Sequence, residues 1–470
     1  MGDTKIHRAS ENPNLDWEAS LKQYENVMAS ESEALKVKAT IKLAQLSKNA
    51  PENILKSAIP IIAKPLEDKP TNNASQSMRA AAAYCLRCIS CQGDGTLAKA
   101  VGHSGALESL LRSLLHSSGC FCKILVKCIW STVTFDKSSR VILPRNGGLE
   151  VIICMLVFVT DGTRRYLLEI LSAMALLREV RKALVGLRGL PFLVQAARFG
   201  YMASRERACE AIGLIAITKR GRNKLVELGV VTVLIELVRE GDYVTKLVAG
   251  NALGIVSAHL AYIRPVAQAG AIPLFADLLQ SPDPICKEIA EDVFCLLAVA
   301  ETNAVVISDH LVKVLKEGDD RGKAAAADVL RILSSYKYSI SVVQNSGAIP
   351  VLVDLLHDGN HEVREKVSGA IARLSYYETD RVALADAGAI QGLIGLLQDE
   401  LEKVKLNVTE ALTSFSKDPL YYTRLSEVVS TPAFQNLQER ITHIRATEWQ
   451  SMVSVHQLGI NQFTFDLDLM

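Results

Sequence analysis

Several clusters in this chain have residue types that could do chemistry. His361-Glu362 opens like the zinc motif HExxH, in which two histidines one helical turn apart hold the metal and the glutamate acts as base. Glu365 stands where the second histidine belongs, so that ligand set is incomplete. Cys85, Cys88 and Cys91 fall along one helix face at i, i+3 and i+6, but no second pair follows at zinc-finger spacing. Small thiols packed into a crowded interior account for them better. Gly93-Asp94-Gly95 reads as a loop rather than a phosphate cradle, because no strand precedes it. The phosphate loop GxxxxGK[ST] and the nucleophile elbow GxSxG do not occur. The sequence therefore predicts no catalytic residue, no metal, no cofactor and no small-molecule substrate.

What the sequence does contain is a repeat. Gly270-Ala271-Ile272-Pro273, Gly347-Ala348-Ile349-Pro350 and Gly388-Ala389-Ile390-Gln391 each open an apolar stretch. Weaker copies stand at Gly105-Ala106-Leu107, Gly147-Gly148-Leu149, Gly189-Leu190-Pro191 and Gly229-Val230-Val231, and Ser57-Ala58-Ile59-Pro60 adds an early one. From Leu107 onward the third residues recur mostly every 41 positions; the gap of 77 from Ile272 to Ile349 holds one ordinary unit and one shortened by five. Such a period built from helical segments predicts a solenoid with one continuous core rather than two to four globular domains. With 49% hydrophobic but only 6% aromatic residues, Leu, Ile, Val and Ala must fill that core.

Within a unit such as 380–417, a short helix (Arg381 to Asp386) ends at a glycine free to turn with positive φ. A second helix follows from Ile390 to Gln398, and a third, longer one from Glu402 to Ser416. Pro60, Pro191, Pro273 and Pro350 are expected in first turns, where a missing N–H is harmless. The shortened unit lacks the glycine phrase; its second helix is expected at Asp309 to Glu317, with an irregularity in the stack there.

Three helices per unit with this glycine resembles the armadillo family, and residues 347–356 and 364–375 carry the resemblance most specifically. It covers roughly residues 30–418 and is most similar to plant armadillo proteins, many of which carry an N-terminal U-box; the helical N-terminus here leaves no room for one. The resemblance implies an all-α, right-handed α-solenoid of about nine armadillo repeats, plus a partial one with third helix Ser32 to Ser47. The expected organisation is a tail over 1–14, capping helices over 15–49, the solenoid over 50–418, capping helices over 419–458 and a tail over 459–470.

It also implies that third helices line a concave groove that binds partner peptides. The position 22 after each anchor reads Ile129, Leu171, Ile212, Leu253, Phe294, Leu330, Ile371 and Leu412, a core row. Two residues earlier, the inner surface reads Lys127, Glu169, Glu210, Asn251, Asp292, Asp328, Gly369 and Glu410. One turn before that stand Lys123, Arg165, Glu206, Leu247, Glu288, Ala324, Glu365 and Leu406. The groove thus starts basic and turns acidic from about Glu206, which suits a partner with Lys or Arg segments. Leu214, Ile255, Leu296 and Ile332, a turn further on, form an apolar stripe that either seats a partner helix or belongs to the core between repeats. The Trp/Asn ladder of the family's nuclear-import receptors is absent.

A net charge of +1 excludes a global pull toward nucleic acid or membrane. The longest apolar run, Val151 to Val159, is about half of a membrane span. The N-terminus lacks a secretory apolar stretch and a myristoylation signal, and ten cysteines read as reduced thiols. The chain is expected in the cytoplasm or nucleus, as a non-catalytic scaffold or adaptor for protein partners with basic or amphipathic segments. A substrate-recognition component of a ubiquitin-ligase system is the alternative, and a nuclear transport carrier a further one. The alternating tail Phe463-Thr464-Phe465-Asp466-Leu467-Asp468-Leu469-Met470 resembles the Leu-x-Leu-x-Leu repression motifs of plant regulators.

Overall fold

A repeat that cannot bury its own apolar face must bury it on its neighbours, and the helices are arranged to do that. The computed structural model describes residues 16–67, 74–187, 189–334 and 340–444. The tails at 1–14 and 459–470, with most of the predicted polar insertion at 69–75 and residues 445–458 of the expected C-terminal cap, lie outside them. The described residues are all-α, with no strand among them, and form an α-solenoid. Contacts divide the chain into two units, Met1–Leu228 and Gly229–Met470.

The first unit opens with α1 (Trp17–Ala29), α2 (Glu33–Leu46), α3 (Glu52–Ala63) and α4 (Gln76–Ser90). Three triplets follow: α5 (Ala98–His103), α6 (Ala106–Leu115), α7 (Gly119–Phe135); α8 (Lys137–Arg145), α9 (Gly148–Phe158), α10 (Asp161–Ala175); α11 (Arg178–Gly186), α12 (Leu190–Arg198), α13 (Met202–Ala216). It closes on α14 (Lys219–Glu227). The third helices pack in chain order, α2 on α4, α4 on α7, α7 on α10 and α10 on α13.

The second unit begins with α15 (Val230–Glu240) and α16 (Tyr243–Ser257), then α17 (Leu260–Gln268), α18 (Ala271–Leu279) and α19 (Pro284–Leu297). Next come α20 (Glu301–Glu317) and α21 (Asp320–Leu333), then α22 (Ile340–Asn345), α23 (Ala348–Asp354) and α24 (His361–Leu374). Finally α25 (Glu378–Asp386), α26 (Ala389–Leu396) and α27 (Glu402–Ser416) lead to α28 (Pro419–Val429) and a helical segment at 432–444. Here α16, α19, α21, α24 and α27 pack in series. The core row is fully buried in both units: Ile129, Leu171, Ile212, Leu253, Phe294, Leu330, Ile371 and Leu412 are all 0% exposed.

The turn between first and second helices uses glycine as anticipated. Gly388 takes φ +86° between α25 and α26, and Gly270 takes φ +91° before α18. Gly189 departs from this, with φ −74°. Where the glycine is missing, the two helices fuse. Ser57 stands in its place within α3, so Pro60 lies inside that helix rather than in a first turn. In the shortened unit, α20 runs unbroken from Glu301 to Glu317, and the separate second helix expected at Asp309 does not form. Without a residue that enters the left-handed region readily, nothing there diverts the chain from continued α-helix.

A second periodic device went unread in the sequence. Arg140, Arg181 and Arg222, 41 apart, and Arg381 at the same phase donate to the last carbonyls of the preceding third helix. Arg181, for example, reaches Ala175 O at 2.8 Å and Leu176 O at 2.9 Å. Arg164, Arg205 and Arg364 do the same for carbonyls that end second helices or the turns after them. Carbonyls at a helix C-terminus have no partner within the helix and attract cations, so one guanidinium ties successive elements together.

A Cβ at Gly388 meets no atom within 4 Å, so its replacement is opposed by backbone conformation alone. Gly388→Ala should destabilise the second unit by about 1–2 kcal/mol, and Gly388→Asn by less, in urea unfolding followed by circular dichroism.

Candidate partner-binding faces on the third helices

Third helices expose whatever the core row does not use. In the first unit that face carries Lys127 on α7, Glu169 on α10, and Glu210 with Leu214 on α13. Lys127 lies over the ring of Tyr166, its Nζ 5.1 Å from the centroid. The acids gather round one cation: Arg207 is 3.2 Å from Glu169, 3.3 Å from Glu210 and 3.6 Å from Glu206. Burial works to lower the Arg207 pKa, but these three carboxylates outweigh it and hold it above its ordinary value. Leu214 is half-buried.

In the second unit the predicted acids fall into two kinds. Asp328 on α21 accepts from Arg331 Nε at 2.7 Å and Lys366 Nζ at 2.8 Å. Burial favours its protonation, yet these hydrogen bonds prevail and hold its carboxyl below the usual range. Glu410 on α27 accepts from the Tyr376 hydroxyl, and Glu365 pairs with Lys403 at 3.0 Å. These acids are already engaged within the fold.

Asp292 on α19 is exposed, as is Glu288 one turn before it, and neither has an ion-pair partner among the described residues. Beside them Glu291, which the sequence reading passed over, is half-buried. Burial first, then the charges of Asp328, Asp292 and Glu288, push its carboxyl up to about 7 against the pull of Lys366. The three acids thus outnumber the cations that act on Glu291, Lys287 on α19 itself and Lys366 on α24. Asn251 on α16 is exposed, and Ile255, Leu296 and Ile332 are half-buried, neither sealed in the core nor fully open to solvent. Gly369 is covered, since a Cβ there would lie 3.3 Å from Arg331 and 3.4 Å from Asn407.

Sequence reading also missed the aromatic residues of the basic end. Tyr166 is buried between Lys127 and Arg165, and Trp130 meets it edge-on at 5.3 Å. The signal was available: an aromatic residue directly follows Arg165 in the row next to Lys127. The cysteines behave as packing residues. Cys85 is buried, Cys88 half-buried and Cys91 exposed; burial raises the Cys85 thiol and pushes Cys209 up to about 12. Among the described residues no group of three or more His, Cys, Asp or Glu is placed to hold a metal. No single described helix is long and apolar enough to cross a membrane; α8 and α9 together reach that composition but meet at 86°.

Comparison with known proteins agrees with this architecture. The model of the armadillo/beta-catenin-like repeat matches residues 338–376. A crystal structure of an engineered protein aligns over 84% of this chain and 98% of its own, at 22% identity and a TM-score of 0.66. A designed armadillo repeat protein in complex with the peptide (KR)4 aligns over 48% of this chain and 99% of its own, at 23% identity and a TM-score of 0.40. No curated protein matches the chain.

Glu291 gives the α19 face a pH signature. Its folded-state pKa lies above the ordinary value of 4.5, so between about 4.5 and 7 the folded chain keeps a proton that the unfolded chain releases. Stability from this group is present at low pH and lost as pH rises through that window. Glu291→Gln should stabilise the protein by about 1 kcal/mol at pH 8, after allowance for solvent screening, and leave it unchanged at pH 4. Denaturant midpoints of both proteins across that range check this.

Proposed function

We propose that this chain is a non-catalytic protein-binding scaffold, and that the α19–α21 face of its second unit takes a basic segment of a partner protein. One observation carries the reading: among the described residues Glu288 and Asp292 stand exposed with no ion-pair partner, while Glu291 between them is forced toward neutrality. A Lys or Arg side chain laid across α19 would relieve this repulsion through charge-assisted hydrogen bonds and be steered there by the same field. Leu296 on α19 and Ile332 on α21, half-buried beside the acids, suit the aliphatic stems of such side chains.

Nothing on the described residues favours a ubiquitin-ligase role or nuclear carriage over this reading. Nucleic acid, membrane insertion and a small-molecule substrate have no part in it. We place the protein in the cytoplasm or nucleus, where ten free thiols stay reduced.

The test uses a fluorescent decapeptide of alternating lysine and serine and the variant Glu288→Lys/Asp292→Lys. Asp328 is left intact, since a lysine there would face Arg331 and Lys366. The double reversal should weaken binding at least tenfold with no loss of thermal stability, and the wild-type affinity should fall with added salt. Equal affinity for wild type and variant would contradict the proposal.

A further inference from the structure

The basic end of the first unit is built differently from the acidic faces. Lys123 and Lys127 on α7 and Arg165 on α10 line a cavity of about 230 Å³ together with Tyr166, Tyr201 and Ser204. The two faces of the cluster converge on one ring: Lys127 Nζ lies 5.1 Å and Arg165 Cζ 4.5 Å from the centroid of Tyr166. Arg165 Nη2 also donates to the Tyr166 hydroxyl at 2.5 Å, which leaves that hydroxyl its own proton to give. Trp130, packed edge-on against the ring, holds it in place.

None of the three cations has a carboxylate partner among the described residues. The one acid on the cavity wall, Asp161, is engaged elsewhere: Oδ1 is 2.5 Å from Arg164 Nη1, and Oδ2 accepts from the Tyr201 N–H at 3.0 Å. Three like charges held around one opening are mutually repulsive and destabilising unless something compensates them. Several cations on other third helices do find carboxylates: Arg207, Arg331, Lys366 and Lys403 are paired.

We propose that this cavity binds a phosphorylated side chain of a protein partner. A carboxylate would neutralise one of the three cations. A phosphomonoester carries a charge of about −1.5 to −2 at neutral pH and three acceptor oxygens, which matches two ammonium groups, a guanidinium fork and a tyrosine hydroxyl. The cavity opens at the start of α13, where Tyr201 is exposed and Ala203 lines the wall, so a peptide backbone can pass over it. The inference is independent of the basic-segment reading, because it concerns the first unit and a ligand of opposite charge.

The experiment titrates the full chain with a fluorescein-labelled glycine–serine nonapeptide bearing one central phosphoserine, and with its unphosphorylated twin. The phosphopeptide should bind at least tenfold more tightly than the twin. Arg165→Gln and Lys127→Gln should each weaken it at least fivefold, whereas Arg220→Gln, an exposed charge on α14 outside the cavity, should not. Thermal melts identify any variant that fails to fold, and Lys123→Gln then takes its place. Equal binding of the two peptides, no binding of the phosphopeptide at millimolar concentration, or unchanged affinity in the cavity variants would overturn the proposal. Inorganic phosphate binding as tightly as the phosphopeptide would also overturn it, by showing that the cavity takes the free anion rather than a peptide side chain.

Discussion

Every feature of this protein depends on the burial of one third helix against the next. A single repeat has no closed core of its own; Leu171 on α10 and Ile371 on α24, whose helices pack between the third helices before and after them, are 0% exposed. That constraint holds the third helices in series within each unit and fixes the phase at which their remaining positions meet solvent. Charge at those positions is then repeated along the stack, and so is any mismatch in it.

The mismatch differs along the chain. Where consecutive helices bring opposite charges together, as Asp328 with Lys366 or Glu169 with Arg207, the surface is internally satisfied and the pairs help to hold adjacent repeats in register. Exposed pairs of this kind are worth little individually, about 0–1 kcal/mol. Where one sign prevails, as at Glu288, Glu291 and Asp292 or at Lys123, Lys127 and Arg165, the fold keeps a repulsion that a ligand of opposite charge would remove. Such places are better candidates for binding than the longer rows that contain them.

Much of the architecture was legible because one residue type has a single structural use here. Glycine at a fixed phase announced the turn before each second helix, and at Gly270 and Gly388 the backbone adopts the left-handed conformation that only glycine enters freely. Its absence was harder to read. Neither Ser57 nor the stretch within α20 supplies a glycine, and the helices fuse there even though α3 carries Pro60 in its interior. The row positions were legible from the period, but their partners were not. Arg207 lies outside both rows yet gathers Glu169 and Glu210 of the first and Glu206 of the second, and Tyr166, one residue past Arg165, organises the basic end. Pairings of this kind depend on side-chain reach between helices some 40 residues apart in sequence, which periodicity alone does not encode.

Zero-length carbodiimide coupling of a lysine-rich peptide to the intact protein, mapped by mass spectrometry, tests the central claim most directly, because it joins an amine only to a carboxylate already in contact with it. The account predicts that coupling concentrates on Glu288, Glu291 and Asp292. Coupling spread over exposed acids in proportion to their accessibility, with no preference for α19, would contradict it.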